Sequence, residues 1–204
     1  MSSRNDGGNQ SGIKETRSGE WSPGLTEDEK KTLFAIAGDT LEWCVKGGKG
    51  KFSFEDYAVT EKMKVETATF VTLKINGNLR GCIGSLEPVA PMYRSVHDNA
   101  VNAALRDPRF PPVNVMELER LDVHISLLSP IVPIDSLDEF KLGEHGIILE
   151  KGFHRAVYLP EVAVEQEWTK EETLSSLSRK AGLGPDAWKA GTSFKVFSSV
   201  VLSK

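Results

Sequence analysis

The sequence predicts an α+β fold, a mainly antiparallel sheet with flanking helices, and three observations carry that prediction. First, two pairs of strand-like runs are each joined by a short turn: 68–75 with 79–85 across Asn76-Gly77-Asn78, and 146–149 with 155–159 across Lys151-Gly152. Second, helix starts are marked by capping boxes, Thr26 with Glu29 and Thr169 with Glu172. Third, strands and helices do not alternate strictly, which argues against a doubly wound parallel sheet.

In chain order, residues 1–19 are rich in Ser, Gly, Asn and charge, with one isolated Ile13. They are expected to form a disordered tail before a domain at 20–204 that holds one or two subdomains. After Thr26, Leu33, Ala37, Leu41 and Cys44 recur at helical spacing, joined by Phe34 and Val45, so Cys44 reads as a core residue. Gly47-Gly48 stops that helix. Gly47-Gly48-Lys49-Gly50-Lys51 invites comparison with a phosphate-binding loop. The comparison fails because a helix precedes it and Phe52 stands where Ser or Thr should meet magnesium.

In the first hairpin, Val71, Leu73 and Ile75 share one face, and Phe70, Thr72 and Lys74 the other. A two-residue turn would set Leu73 opposite Arg80, mixing core and solvent residues. A three-residue turn pairs Ile75 with Leu79, Leu73 with Gly81 and Val71 with Ile83, and is the register expected. It places Cys82 beside Thr72, on the face of Arg80 and Lys74. From about Pro91 a helix follows, with Met92, Val96, Ala100 and Ala103 or Ala104 on one face, until 107–112 (DPRFPP) breaks it. Asn114 with Glu117 can cap a short turn. Leu121, Val123, Ile125 and Leu127 then alternate with Asp122, His124 and Ser126 in a strand ended by Pro130. Beyond the second hairpin come a short helix at 161–168, a helix carrying Leu174, Leu177 and Ala181 up to Gly182, a turn at 185–188, and one final strand from Phe194 to about Leu202.

The net charge of -4 argues against non-specific binding to nucleic acid or to an anionic membrane surface. No apolar run approaches the ~20 residues of a membrane span. Cys44 and Cys82 show neither metal spacing nor a disulfide framework, so a reduced cytoplasmic protein is expected. His97, His124, His145 and His154 are scattered with no ligand pair, and no dinucleotide fingerprint or Ser-centred elbow is found. No metal site and no cofactor are indicated.

From about Trp21 to Lys204 the chain resembles the AMMECR family. The matching blocks are 79–84 (LRGCIG), 107–112 (DPRFPP), 145–147 (HGI), 158–163 (YLPEVA), 165–168 (EQEW), and 180–183 (KAGL) leading into 185–188 (PDAW). The resemblance implies an α+β fold with a larger sheet-containing part and a smaller subdomain, and no settled biochemical activity. It also implies an association with a Memo-like protein and a radical-SAM protein, beside or fused to which similar proteins are encoded. In one respect the chain departs. Ser178 stands before the Lys-Ala-Gly segment where prokaryotic relatives often carry Cys, which argues against a two-thiol mechanism with Cys82.

Cys82 has two readings: a nucleophilic or redox-sensitive thiol favoured by nearby cations, or a small strand residue chosen for packing. Arg80 is either an anion-binding fork or the structural partner of a carboxylate such as Asp107. Arg109 has the same two readings, and with Gly81 and Gly84 these residues make up the candidate ligand contacts. His145 is the candidate general base to Cys82 if the fold brings them together. Glu161, Glu165 and Glu167 read as a solvated face unless Trp168 or Trp188 is exposed beside them. Two function classes follow: a small-ligand or thiol-dependent enzyme sited at the Arg80–Cys82 hairpin, or a non-catalytic adaptor recognising a protein with the same loops.

Overall fold

The computed structural model describes residues 12–204 and divides the chain into two compact units. The first holds residues 12–15, Leu25–Ile125 and Leu202–Lys204; the second holds Thr16–Gly24 and Ser126–Val201. Both sheets are antiparallel and are flanked by helices, as an α+β fold requires. One has five strands in the order β1-β9-β4-β2-β3: β1 (Lys14–Arg17), β2 (Thr69–Ile75), β3 (Asn78–Gly84), β4 (Asp122–Leu128) and β9 (Ser199–Ser203). The other has four in the order β5-β8-β6-β7: β5 (Val132–Ile134), β6 (Gly146–Lys151), β7 (His154–Tyr158) and β8 (Ser193–Phe197).

In the first unit the β2–β3 hairpin packs under α2 (Met92–Leu105), which in turn packs on α1 (Glu27–Val45). The capping box at Thr26 forms as the sequence predicts: the Glu29 backbone N–H donates to Thr26 Oγ1 at 3.2 Å and the Thr26 N–H to Glu29 Oε2 at 2.7 Å. Leu33, Ala37, Leu41 and Cys44 are buried, as are Met92, Val96, Ala100, Ala103 and Ala104 on the facing helix. A buried polar triad fastens α2 to β2. Asn99 Nδ2 donates to the Thr69 carbonyl at 3.0 Å, and Thr69 Oγ1 meets Ser95 Oγ at 2.7 Å. Because each of these groups is satisfied, the triad orients the helix without an orphaned polar atom.

In the second unit, Phe140, Ile147, Leu149, Leu174, Leu177, Phe194 and Val196 form one apolar cluster under α4 (Lys170–Lys180). The Thr169–Glu172 capping box starts α4, and Gly182 at φ 77 follows its end. Trp168 and Trp188 are both half-buried, and Trp188 Nε1 donates to Ser175 Oγ at 3.2 Å, so neither stands out as an exposed contact residue.

Three expectations are corrected. The expected tail through Gly19 is not uniformly without structure: 1–11 lie outside the described residues, but Lys14–Arg17 forms β1. Its Glu15 carboxylate reaches the buried Lys30 at 2.7 Å. A strand this polar leaves no apolar alternation to read, because edge strands are recruited through the backbone. The single final strand is two strands, β8 and β9, assigned to different sheets with Ser198 between them. There Ser198 N–H donates to Ser129 Oγ at 2.8 Å instead of continuing a ladder. The short helix expected at 161–168 ends sooner, as α3 (Pro160–Glu165), and Glu167 takes φ 53. Strand β5 was hidden from sequence reasoning by Pro133, which an edge strand tolerates.

Candidate functional site

The site begins with the turn of the β2–β3 hairpin. Asn76 and Gly77 both take positive φ, 52° and 78°, as a two-residue turn matching strand twist demands. Ile75 therefore pairs with Asn78 and Lys74 with Leu79, which corrects the three-residue turn. Farther up the hairpin the expected register holds: Leu73 opposite Gly81, Thr72 opposite Cys82, and Val71 opposite Ile83. Both are reconciled by a β-bulge, because Arg80 is one residue in excess on β3. The bulge restores the parity that keeps Val71 and Leu73 fully buried.

Strand β3 lies at the edge of its sheet, so half its backbone groups face away from β2. At Cys82 these groups are met by side chains instead of another strand. Cys82 N–H donates to Asp107 Oδ2 at 2.8 Å, and Arg109 Nη2 donates to the Cys82 carbonyl at 3.1 Å. Asp107 is buried at 4% exposure and also accepts from Arg109 Nη2 at 2.7 Å and Nε at 2.9 Å. Those bonds from Arg109, with the Cys82 amide behind them, hold the Asp107 carboxyl well below the usual carboxylate range. One side-chain pair thus takes the place of a neighbouring strand at Cys82. Cys82 is half-buried, and its Sγ accepts from Thr72 Oγ1 at 3.2 Å.

Arg80 pairs with Glu117 and not with Asp107. Nε donates to Oε1 at 2.7 Å and Nη2 to Oε2 at 3.0 Å, the two-pronged fit of guanidinium to carboxylate. Glu117 is readied for this by the 3-10 turn Val115–Arg120: its Oε2 also accepts Asn114 N–H at 3.0 Å, in the capping box anticipated from the sequence. The bonds from Arg80, and then from Asn114, lower the pKa of Glu117. Arg80 Nη1 is buried and has no hydrogen-bond partner among the described residues.

Arg80, Gly81, Cys82, Gly84, Asp107 and Arg109 all lie in the first unit, while His145 belongs to the second, where its Nδ1 accepts the Lys141 N–H at 3.3 Å. The two glycines have a packing reason. A Cβ on Gly81 would run into the Ala103 carbonyl of α2, and one on Gly84 into Phe70 and the Thr69 carbonyl. Ser178 is fully buried with its hydroxyl donating to the Leu174 carbonyl at 3.0 Å. Sequence reasoning missed Glu117 as the partner of Arg80, although its capping spacing with Asn114 was legible. Thr72 was placed beside Cys82 by register alone. Among the described residues no cluster of three or more His, Cys, Asp or Glu is placed to hold a metal, and no helix is long and apolar enough to cross a membrane.

The family model described as AMMECR1 matches residues 34–202. A protein of Methanothermobacter thermautotrophicus is 39% identical over 170 residues, covering 80% of this chain and 88% of its own. A protein of Methanosarcina acetivorans is 35% identical over 188 residues, covering 88% and 94%. The crystal structure of uncharacterized protein PH0010 from Pyrococcus horikoshii superposes with a TM-score of 0.78 at 32% identity, covering 87% of this chain and 92% of that one.

Proposed function

Because the chain belongs to the AMMECR1 family, and the relatives named above bear no functional name, we propose a function from the hairpin itself: a small-ligand site in which the Cys82 thiol is the reactive group. The observation that carries this reading is the arrangement around Cys82. Its backbone is tied on both sides by Asp107 and Arg109, while the residue as a whole is only half-buried. The clamp satisfies the outward backbone groups of an edge strand and thereby also holds the Cys82 main chain in one place. Fixing is what a reacting atom requires, because rate depends on geometry held in advance. Arg109 lies about half exposed at 54% of its side chain, and supplies a cation for an anionic ligand beside the thiol.

The test compares two alkylating reagents on the folded protein. Iodoacetate carries a carboxylate and iodoacetamide does not. Cys82 is expected to react in the native state, whereas Cys44 is buried and desolvation pushes its thiol pKa up. The iodoacetate-to-iodoacetamide rate ratio at Cys82 should exceed that of a free thiol by up to about fivefold, the worth of one exposed ion pair. Arg109→Gln should bring the ratio back. Labelling of Cys82 only after unfolding would end the thiol reading.

A second reading rests on Leu79, Val115 and Met116, exposed at 41%, 55% and 88% and each adjacent in sequence to Arg80 or near Glu117. Exposed apolar side chains flanking an ion pair resemble the edge of a docking surface. In this reading the chain is an adaptor, and the partners to test are a Memo-like protein and a radical-SAM protein. Met116→Asp should then abolish co-purification with either partner and leave Cys82 labelling unchanged; unchanged co-purification would count against the adaptor.

A further inference from the structure

A second cluster in the first unit takes no part in the hairpin site. Residues 48–60 form neither helix nor strand, and aromatic rings hold them to α1 and α2. Phe52 sits in the middle, with ring centroids at 4.5 Å to His97, 5.2 Å to Phe54, 5.8 Å to Trp43 and 6.2 Å to Tyr57. Phe54 in turn meets Tyr93 edge-on at 4.9 Å. His97 belongs to the apolar side of this cluster: its Nδ1 lies 2.7 Å from Thr40 Oγ1, and burial lowers its pKa.

The cluster accounts for how the irregular stretch is anchored, but not for the cleft beside it. That cleft is an open groove of about 470 Å³, large enough to admit a small molecule along one side. Phe52, Phe54 and Tyr93 line it, each half-buried, together with the exposed cations Lys51, Lys64 and Arg94. Among the described residues Glu55 is the only carboxylate in the lining. Lys64 is shared with Glu61 at 2.6 Å. Arg94 donates through Nε to the Tyr93 hydroxyl at 2.9 Å, and its guanidinium carbon lies 5.6 Å from the ring, which keeps the cation close to the aromatic surface. From Tyr93 to Ala103, against which Gly81 packs, α2 rises about 15 Å. The cleft and the Gly81 contact beside Cys82 therefore lie toward opposite ends of the same helix.

We propose that this cleft is a binding site for a mononucleotide-class ligand, a flat heteroaromatic ring carrying a phosphate. Aromatic side chains offer a stacking surface for which every base has a matching face, and Lys51 and Arg94, with Lys64 shared with Glu61, supply the charge a phosphate needs. Neither half of the lining suffices for another occupant. A purely apolar ligand would leave the cations unused, and a bare anion would leave the rings unused. The chain's net charge of -4 disfavours a nucleic-acid polymer, for which a basic surface would have to extend well beyond one cleft.

The experiment is a titration of the full chain, followed by calorimetry and by backbone amide shifts of Tyr93 and Arg94. The probes are AMP, adenosine, inorganic phosphate, phosphotyrosine and a short single-stranded oligonucleotide. AMP is expected to bind saturably with Kd below about 1 mM, at least several-fold tighter than adenosine or phosphate alone. Arg94→Gln and Lys51→Gln, both at exposed positions, should weaken AMP about tenfold together and leave adenosine unchanged. Phe54→Leu should weaken both by about tenfold. Four results overturn the proposal: no saturable AMP binding, AMP no tighter than phosphate, phosphotyrosine or the oligonucleotide tighter than AMP, or affinities indifferent to Arg94→Gln and Phe54→Leu.

Discussion

Gly81→Ala is expected to lower the melting temperature by about 6–12 °C, corresponding to about 3 kcal/mol in a chain of this size. The added methyl would be driven into the carbonyl oxygen of Ala103, a main-chain atom inside helix α2. A flexible side chain could move aside from such a contact, but a helix carbonyl can move only with its helix. That helix is held by the Asn99–Thr69 bonds on β2 and by packing on α1. Either β3 or α2 must therefore shift. The conformational freedom of glycine is not the issue, because Gly81 is absent from the positive-φ residues and what matters is the missing Cβ. A thermal melt of the variant measures the effect directly. A change of less than a degree or two would show that β3 relaxes away from α2 at little cost, and the packing account of this glycine would fail.

Asp107→Ala should cost a similar amount, about 3 kcal/mol, for a different reason. The buried carboxylate is the acceptor for the Cys82 amide and for three bonds from Arg109. Removing it leaves an edge-strand N–H without its acceptor and releases an arginine that also holds the Cys82 carbonyl. Hydrogen exchange at the Cys82 amide distinguishes this from general destabilisation: it should speed up at least tenfold more than amides on α1. Asp107→Asn keeps one acceptor oxygen and should lose about half as much. Exchange at Cys82 that merely follows the global change would mean the clamp is not what holds this strand.

The two arginine-held carboxylates of the site set a pH dependence. Asp107 and Glu117 both have carboxyl groups depressed in the folded state, by Arg109 and by Arg80 respectively. Depressed carboxylates contribute stability that is fully present above their unfolded values near 3.9 and 4.3, and is lost as pH falls through the folded values. The stability gap between the parent and Asp107→Ala should therefore be constant from pH 7 to about 5 and narrow below about 4. Melting curves across that range check the sign: a gap that widened in acid would contradict it.

The elements whose signals are local were legible from the residues alone. Thr26 with Glu29, Thr169 with Glu172 and Asn114 with Glu117 announced their helical starts, because a cap is a hydrogen bond between neighbours in sequence. The α1 and α2 core faces followed from period alone, and the pairing of Cys82 with Thr72 followed from keeping apolar residues on one face. The motif-bearing blocks also led to the family. What only the tertiary structure decided depends on backbone groups whose partners are distant in the chain. A bulge at Arg80 lets a two-residue Asn76-Gly77 turn coexist with the apolar face, and parity counting without a bulge forbids that combination. Arg80 took Glu117, and Asp107 went to the Cys82 amide, because β3 is an edge strand and its outward N–H needs an acceptor. Lys14–Arg17 became a strand, and the final run divided between two sheets at Ser198, through main-chain pairing that side-chain patterns do not encode. Side-chain periodicity reports which face is buried, but which strand lies at an edge is a property of the assembled sheet, and here that edge is where the candidate site was built.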